Sequence, residues 1–426
     1  MIDLSKLTHE ERKNIIRGCE PFPTMRYTNV LWIKPIVKVL LEEIGDVVYE
    51  PELKLILTAA SKAKRHNLSG SQFSMSEKGF AHANRLTKQK NSIKRMRKLL
   101  KIMEGLDYLT YLRGFNIKNT VSCKSYLRFS PRLLKLLDKS KCDKFGMKRE
   151  DMDIVEVVDV EKTKTTRGFN KKGVFVKTKN VILKPTQQIR GIGALKKDLK
   201  AYNTLLERQL ITYKDDAVIA LYKRRFEGDL LSCGRYYTIG GLQGEDKNYR
   251  NTIKINGKAT CEIDVRGIQP RSLLVRKGIV LPEDYDPYKI GIVPRDFAKT
   301  LLFPVLFSNS RKDAKTSITT KLKAAGIKDI TSEEVINAFE NHNKEIKDCF
   351  YNKYQYRELQ YLDSSIAEFV INYFTSKSVP LLSWHDSWII ESIYKEELIK
   401  VIKAAWLEVM GTSDNCYLDV EYDNSK

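Results

Sequence analysis

Residues 30–45 carry their apolar side chains on one helical face and run out at Gly45, which predicts a helix with a glycine stop. Arg85 to Met103 keeps the same period, with Ile93, Met96, Leu99 and Leu100 inward and Lys90, Lys94, Arg97, Lys98 and Lys101 outward. Two alternating runs follow, at 106–114 and 121–130, and have the period of strands. Strand-like runs recur at 154–160 and 173–183, and Leu195, Leu199, Tyr202 and Leu206 then mark an amphipathic helix. Further on, Thr252 to Asp264 reads as two strands around Asn256-Gly257, a strong hairpin signal. Val379 to Glu391 is apolar on both sides of a His385-Asp386 tip, which predicts a second hairpin. Leu359, Leu362, Ile366, Phe369 and Tyr373 trace the helix before it. Leu398 to Val409 trace the one after it, stopped by Gly411, and residues 417–422 form a last strand. Strands backed by helices predict an α+β fold.

One helical pattern is unlike the rest. Arg295, Lys299, Phe303 and Phe307 recur every four residues and share one stripe, two cations followed by two rings. Pro294 stands where a first turn accepts proline, and Pro304 predicts a kink after Phe303. The stripe suits a nucleoside triphosphate, with cations on phosphate and rings against base and sugar. An amphipathic helix whose cations only snorkel is the other reading.

Charge narrows the partners. Lys and Arg number 75 against 53 Asp and Glu, giving a net charge of +22, so polyanions and nucleic acid first are expected to bind. No apolar run of membrane-spanning length and no secretory leader is seen, so a cytoplasmic protein without a membrane partner is expected. The 7 cysteines hold no Cys-x-x-Cys pair, and the 5 histidines are scattered, which argues against a disulfide framework or a zinc site. A basic helix followed by a hairpin outlines a winged-helix DNA-binding module, with Lys94, Arg97, Lys98 and Lys101 toward the phosphates; a solvated basic face is the alternative. Asp159-Val-Glu161 has the Asp-x-Glu spacing of a proofreading exonuclease, but too little chain separates it from Gly234 for that fold.

Arg295-x3-Lys299-x3-Phe303-x3-Phe307 resembles the motif B helix of family A nucleic-acid polymerases, the group of bacterial DNA polymerase I and the single-subunit phage enzymes. Other blocks of that family follow in order. Gly234-Arg235 with Leu242-Gln243 resembles the upstream block, and Glu262-Ile-Asp264 through Gln269-Pro-Arg271 resembles motif A. Leu359-Gln360 resembles the Gln-bearing helix, and Trp384-His385-Asp386-Ser387 resembles motif C. The resemblance implies a right-hand polymerase palm with small fingers over 230–426. Ahead of it come a helical, winged-helix-like region (1–150), a β-rich connector (151–185) and a thumb-like segment (186–229). It further implies template-directed synthesis by a compact DNA polymerase without proofreading, on a DNA template and primer with dNTPs, and an origin in a phage or mobile element. Asp264 and Asp386 would hold two Mg²⁺ ions, with Mn²⁺ able to substitute. Lys299 and Arg295 would hold the triphosphate, Phe303 and Phe307 the base, and Gln269 the sugar. Arg235, Gln243, Arg271, Gln360 and His385 would meet primer or template. Ser387 and Gln269 depart from the DNA-synthesising members, which carry Glu at both places, and Phe307 stands for Tyr. An RNA polymerase or primase using NTPs, or a silent replication initiator on the same palm, therefore stays open.

Overall fold

The structure, a computed structural model, describes residues 20–21, 33–65, 67–73, 92–112, 115–117, 121–123, 125–137, 142, 154–161, 164–169, 175–180, 182–184, 189–214, 216–218, 220–239 and 242–424. Its helices are α1 Lys34–Ile44, α2 Glu50–Arg65, α3 Ile93–Gly105, α4 Pro131–Lys135, α5 Ile192–Glu207, α6 Ile268–Arg276, α7 Arg295–Phe307, α8 Arg311–Ala324, α9 Ser332–His342, α10 Gln355–Ser376 and α11 Lys395–Met410. Its strands in the first half are β1 Glu20–Pro21, β2 Gly70–Phe73, β3 Leu109–Leu112, β4 Phe115–Ile117, β5 Val121–Cys123, β6 Ser125–Phe129, β7 Val155–Val158, β8 Lys164–Phe169 and β9 Phe175–Asn180. In the second half they are β10 Ile211–Tyr213, β11 Asp216–Ala217, β12 Tyr222–Glu227, β13 Cys233–Thr238, β14 Lys254–Ile255, β15 Thr260–Val265, β16 Leu381–Trp384, β17 Ser387–Glu391 and β18 Leu418–Asp423. The fold is mixed α and β. Among the described residues no helix is long and apolar enough to cross a membrane.

The chain divides into two compact units. The first comprises 1–154, 199–222 and 238–260. Its main core joins α1, α2 and α3 through Leu40, Leu53, Ile56, Met96, Leu99 and Leu100. Gly45 closes α1 at φ 79°, the left-handed stop its sequence announces. Ser92 caps α3, whose buried positions are the expected Ile93, Met96, Leu99 and Leu100, while Lys94, Arg97, Lys98 and Lys101 are exposed. Residues 85–91 of the expected helix lie outside the described residues. The alternating runs after α3 supply β3 and β6, which pair antiparallel from Leu109↔Phe129 to Leu112↔Tyr126, with β2 on the other side of β6.

The second unit comprises 155–198, 223–237 and 261–426. One sheet runs β13-β12-β7, with β7 parallel to β12. Another runs β16-β17-β15-β18, β8 pairs with β9, and α10 packs against α11 and β16. Helices α7, α8 and α9 enclose a separate core that includes Leu301, Val305, Ile318 and Phe339.

Three local expectations are corrected. Asn256 (φ 53°) and Gly257 (φ 79°) do make the tight turn, but β14 pairs with β10 while β15 enters the other sheet between β17 and β18. The expected partner of the Asp264 strand is thus replaced by strands distant in sequence. Helix α7 begins at Arg295 with Pro294 as its N-cap, one residue before the expected place. It continues through Pro304 to Phe307, and the carbonyls of Val305 and Leu306 in its last turn accept from Tyr351 N (2.8 Å) and Asn352 N (3.1 Å). In α10 the buried face is Leu359, Asp363, Ser364, Ile366, Ala367, Val370, Ile371 and Phe374, which leaves Phe369 exposed and Tyr373 half-buried. Two buried polar residues interrupt the apolar pattern there and conceal the true face.

Candidate active site

Strand β15 delivers Asp264 at its penultimate residue, opposite Asp419 of β18. The two-residue turn between β16 and β17 delivers Asp386, after His385 in left-handed backbone at φ 63°. Val265 N donates to the carbonyl oxygen of Asp386 at 3.0 Å, so the two acids occupy adjoining strand ends. Burial raises the Asp264 carboxyl above its ordinary range, the charge of Asp386 raises it further, and Lys299 opposes both. Two carboxylates crowded into a half-buried site form a negative locus, with the charge of Lys299 acting on Asp264 and that of Arg235 on Asp386.

The α7 stripe faces outward. Ala298, Leu301, Leu302, Val305 and Leu306 take the core side, while Arg295, Lys299 and Phe303 are exposed and Phe307 is half-buried. Packing therefore accounts for a different face of the helix. The cationic end is organised by a residue the sequence does not single out. Tyr288 is buried, with Arg295 at 5.5 Å and Lys299 at 5.8 Å from its ring centroid. Burial, then the charges of Asp386 and Asp264, hold its phenol above the usual range, so the ring feels the acids as well as the α7 cations. Asp286, two residues earlier, hydrogen-bonds the Arg295 guanidinium and fixes it. An Asp-Pro-Tyr turn carries no chemical signature in sequence.

Behind Asp386, the guanidinium of Arg235 is clamped by Asp363 of α10, with Nε at 3.1 and 3.0 Å from the two carboxylate oxygens and Nη2 bonded as well. Burial pushes Asp363 up to about 7, and Arg235 opposes the shift. The adjoining Gly234 has no room for a side chain. At φ 81°, an added Cβ would lie 2.6 Å from the Phe226 ring and 3.0 Å from Ser364 Oγ. Ser364 Oγ donates to the Cys233 carbonyl at 2.8 Å, which ties this block to α10. Gln360 is half-buried one turn before Asp363 and Ser364. The His385 ring meets Tyr237 edge-on at 5.3 Å.

Ser387 donates to Glu262 Oε1 at 2.8 Å, both side chains being buried. The carboxyl two residues before Asp264 on β15 thus faces the hydroxyl that follows Asp386. Gln269 is 7% exposed on α6. Arg271 is fully buried; its Nη2 donates to the Tyr285 carbonyl at 2.6 Å, and its guanidinium lies 4.4 Å from the Tyr417 ring centroid. From there it supports the loop leading to Asp286 and Tyr288 and does not reach the surface. Gln243, in the first unit, exchanges hydrogen bonds with Thr238 at 2.9 and 3.0 Å. Lys94, Arg97, Lys98 and Lys101 also belong to the first unit, whereas the acid pair belongs to the second. Asp159 is buried and Glu161 exposed, so the Asp-x-Glu pair does not present two acids to one pocket.

As for the metal, among the described residues no group of three or more His, Cys, Asp and Glu is gathered. The acid pair nevertheless suits a hard divalent ion. It offers carboxylate oxygens alone, and their mutual repulsion is relieved by positive charge.

No protein-family model matches the chain, and no curated protein matches it. Among the solved structures that are similar in part is one described as the POL domain of Pol1 from M. smegmatis in complex with DNA primer-template and dNTP, with a TM-score of 0.29 and 13% identity. The alignment covers 55% of this chain and 52% of that one, so the chain spans about half the length of this neighbour. A likeness this slight assigns neither fold nor activity, and the side chains around Asp264 and Asp386 carry the functional reading.

Proposed function

We propose that the protein is a compact template-directed nucleotidyltransferase, a DNA polymerase of the family A kind without proofreading. The observation that carries this reading is the pair Asp264 and Asp386 on adjoining strands, with the charge of Lys299 acting on Asp264. Such a pair would hold two Mg²⁺ ions, or Mn²⁺ in their place, with further ligands from nucleotide phosphates and water. When bound, the ions supply charge neutralisation for phosphoryl transfer.

The chain's own groups divide the remaining work. Arg295, oriented by Asp286 and backed by Tyr288, and Lys299 one turn on are placed to take the triphosphate. Lys299 can give a proton to the leaving pyrophosphate. Phe303 presents an exposed ring to the incoming base. Gln269 forms the floor at the sugar, where an amide excludes a 2′ hydroxyl less firmly than a carboxylate. Arg235, held by Asp363, and His385 flank Asp386 on the side where a primer end would lie. In the first unit, α3 with the β3–β6 pair serves as a winged-helix-like duplex holder.

Ser387 favours a second reading, a polymerase or primase that makes RNA. Its hydroxyl serves Glu262, and the phage RNA-synthesising members carry Ser at the corresponding place. Single-nucleotide incorporation on a defined template, with dATP then ATP, with and without primer, separates the two. A deoxynucleotide preference confined to the roughly 1–3 kcal/mol of a steric pocket is expected. An ATP preference hands the case to the RNA-synthesising reading. No incorporation under any condition, with DNA still bound, overturns the enzyme and leaves a silent binding protein.

A further inference from the structure

The loop that leads into α7 is held from behind by side chains of two other helices. Three successive carbonyls, those of Tyr285, Asp286 and Pro287, each accept from one: Arg271 Nη2 of α6 at 2.6 Å, His342 Nε2 at 2.7 Å and Asn343 Nδ2 at 3.2 Å. A carbonyl only accepts, so His342 carries a proton on Nε2. Its ring stacks on Tyr285, with centroids 5.5 Å apart and planes 18° from parallel, and the Tyr285 hydroxyl donates to Asn343 Oδ1 at 2.6 Å. His342 ends α9 and Asn343 is its C-cap. Asn343 is buried and also donates to the Phe339 carbonyl at 3.1 Å, so both ends of its amide are engaged.

The loop carries what the α7 cations lean on. Asp286 Oδ1 accepts from Tyr288 N at 3.0 Å, while Oδ2 holds Arg295. Tyr288 is the ring that both Arg295 and Lys299 approach. The same turn of α9 reaches the other end of α7. Glu340 Oε1 accepts from the Tyr351 hydroxyl at 2.6 Å, and Tyr351 N in turn donates to the Val305 carbonyl at 2.8 Å. Packing alone accounts for the burial of Pro287 and Tyr288. It does not call for a side-chain donor on every carbonyl from 285 to 287.

We propose that His342 and Asn343 are positioning residues for the triphosphate. They clip the 285–288 loop in place, so that Asp286 presents the Arg295 guanidinium and Tyr288 backs both cations before a ligand arrives. A geometry set in advance lowers the ordering cost of binding. The inference rests on the reading of the α7 cations as the triphosphate site, although the clip itself requires only a polyphosphate ligand.

The test titrates the full-length protein with inorganic tripolyphosphate in EDTA by calorimetry, so that neither metal nor chemistry intervenes. His342→Ala is expected to weaken binding about three- to tenfold, the worth of one hydrogen bond. His342→Gln, whose amide supplies a donor near the Nε2 position, should restore it to within about twofold. In an Arg295→Ala background the loss from His342→Ala should shrink to about twofold or less, since residues that act through one group are not additive. Tyr285→Phe, which loses only the hydroxyl on Asn343, should behave in the same way and decides the matter if His342→Ala does not fold. Affinity unchanged in both variants, or a loss as large without Arg295 as with it, overturns the clip and makes the end of α9 a structural support only. Absence of tripolyphosphate binding by the wild type overturns it as well. Steady-state incorporation of dATP separates the two readings, with KM expected to rise and kcat nearly kept. An Arg295-dependent loss of tripolyphosphate affinity without any incorporation upholds the clip and sinks the polymerase. Incorporation with a KM untouched by His342→Ala and Tyr285→Phe sinks the clip alone.

Discussion

Asp264 is where chemistry and stability pull in opposite directions. Burial and Asp386 raise its carboxyl pKa above the unfolded value, so the folded chain binds more protons between the ordinary aspartate range and the raised one. Stability therefore falls as pH rises through that interval, and ionised Asp264 is a cost the fold carries for function. Asp264→Asn is expected to raise the Tm of metal-free protein by a few degrees at pH 8, a gain that closes as pH falls toward 4. Mg²⁺ should raise the Tm of the wild type and leave that of the variant unmoved. Incorporation should drop below about a tenth of wild type in Asp264→Ala and in Asp386→Ala, since losses at such sites run to several kcal/mol. A variant that melts earlier at pH 8 makes Asp264 a structural acid. Ser387 gives a second residue-scale prediction. Ser387→Ala removes a donor from buried Glu262 and should cost about 1.5–3 kcal/mol in chemical denaturation. Ser387→Glu, the residue of DNA polymerase I-like members, sets acid against acid and should cost more than Ser387→Ala; a neutral outcome would show that Glu262 is satisfied elsewhere. Asp264 and Asp386 stand out in sequence as polar residues in apolar frames, and the α7 stripe as a four-residue repeat of two cations and two rings. Tyr288 and Asp363 are not, because their meaning lies in what they touch across the fold: the Arg295–Lys299 pair for one, Arg235 for the other.

Among elements, those with a clean period and a defined stop are readable. Helix α1 with Gly45 and α11 with Gly411 match their patterns because the apolar face and the stop agree, whereas α3 keeps its expected apolar face but starts after Ser92, whose extended backbone and capping side chain end the period expected from Arg85. Helix α10 misleads because Asp363 and Ser364 are buried through Arg235 and the Cys233 carbonyl, a satisfaction no periodicity displays. The strand of Asp264 misleads for a related reason: the Asn-Gly turn is legible, but which strands a turn's arms then join is decided by long-range pairing. Helix α3 carries the prediction at this scale. Its four outward cations have no role in the core formed by Ile93, Met96, Leu99, Leu100 and Met103. Neutralising Lys94, Arg97, Lys98 and Lys101 together should leave Tm unchanged, weaken duplex binding and flatten its salt dependence by about 0.9 for each phosphate no longer neutralised. Titrations of a blunt duplex at several salt concentrations decide it, and an unchanged slope makes this face a solvated one.

At the scale of the molecule, both compact units are assembled from separated stretches of chain. Interleaving leaves no mark in local composition, because each stretch needs only its own elements to look ordinary. It has a mechanical consequence for the second unit. The motif blocks begin near residue 230, yet β13, which carries Arg235, pairs with β12, and β12 pairs with β7. Starting the chain at 230 strips away both strands and leaves β13 an unpaired edge. It also removes Arg224, which donates to the Gly234 carbonyl at 2.8 Å and to Glu368 at 2.6 Å, and Glu227, the acceptor for Tyr356. Leaving half-buried Glu368 and Tyr356 without these partners is costly beyond the area exposed. A fragment of residues 155–426 retains every one of these hydrogen bonds. The expected result is a single cooperative thermal transition with Mg²⁺-dependent stabilisation for 155–426, and a broad, Mg²⁺-insensitive melt for 230–426. Cooperative melting of the shorter fragment with the same response to Mg²⁺ would show that β7 and β12 are dispensable and that the acid pair is held by the β16-β17-β15-β18 sheet alone.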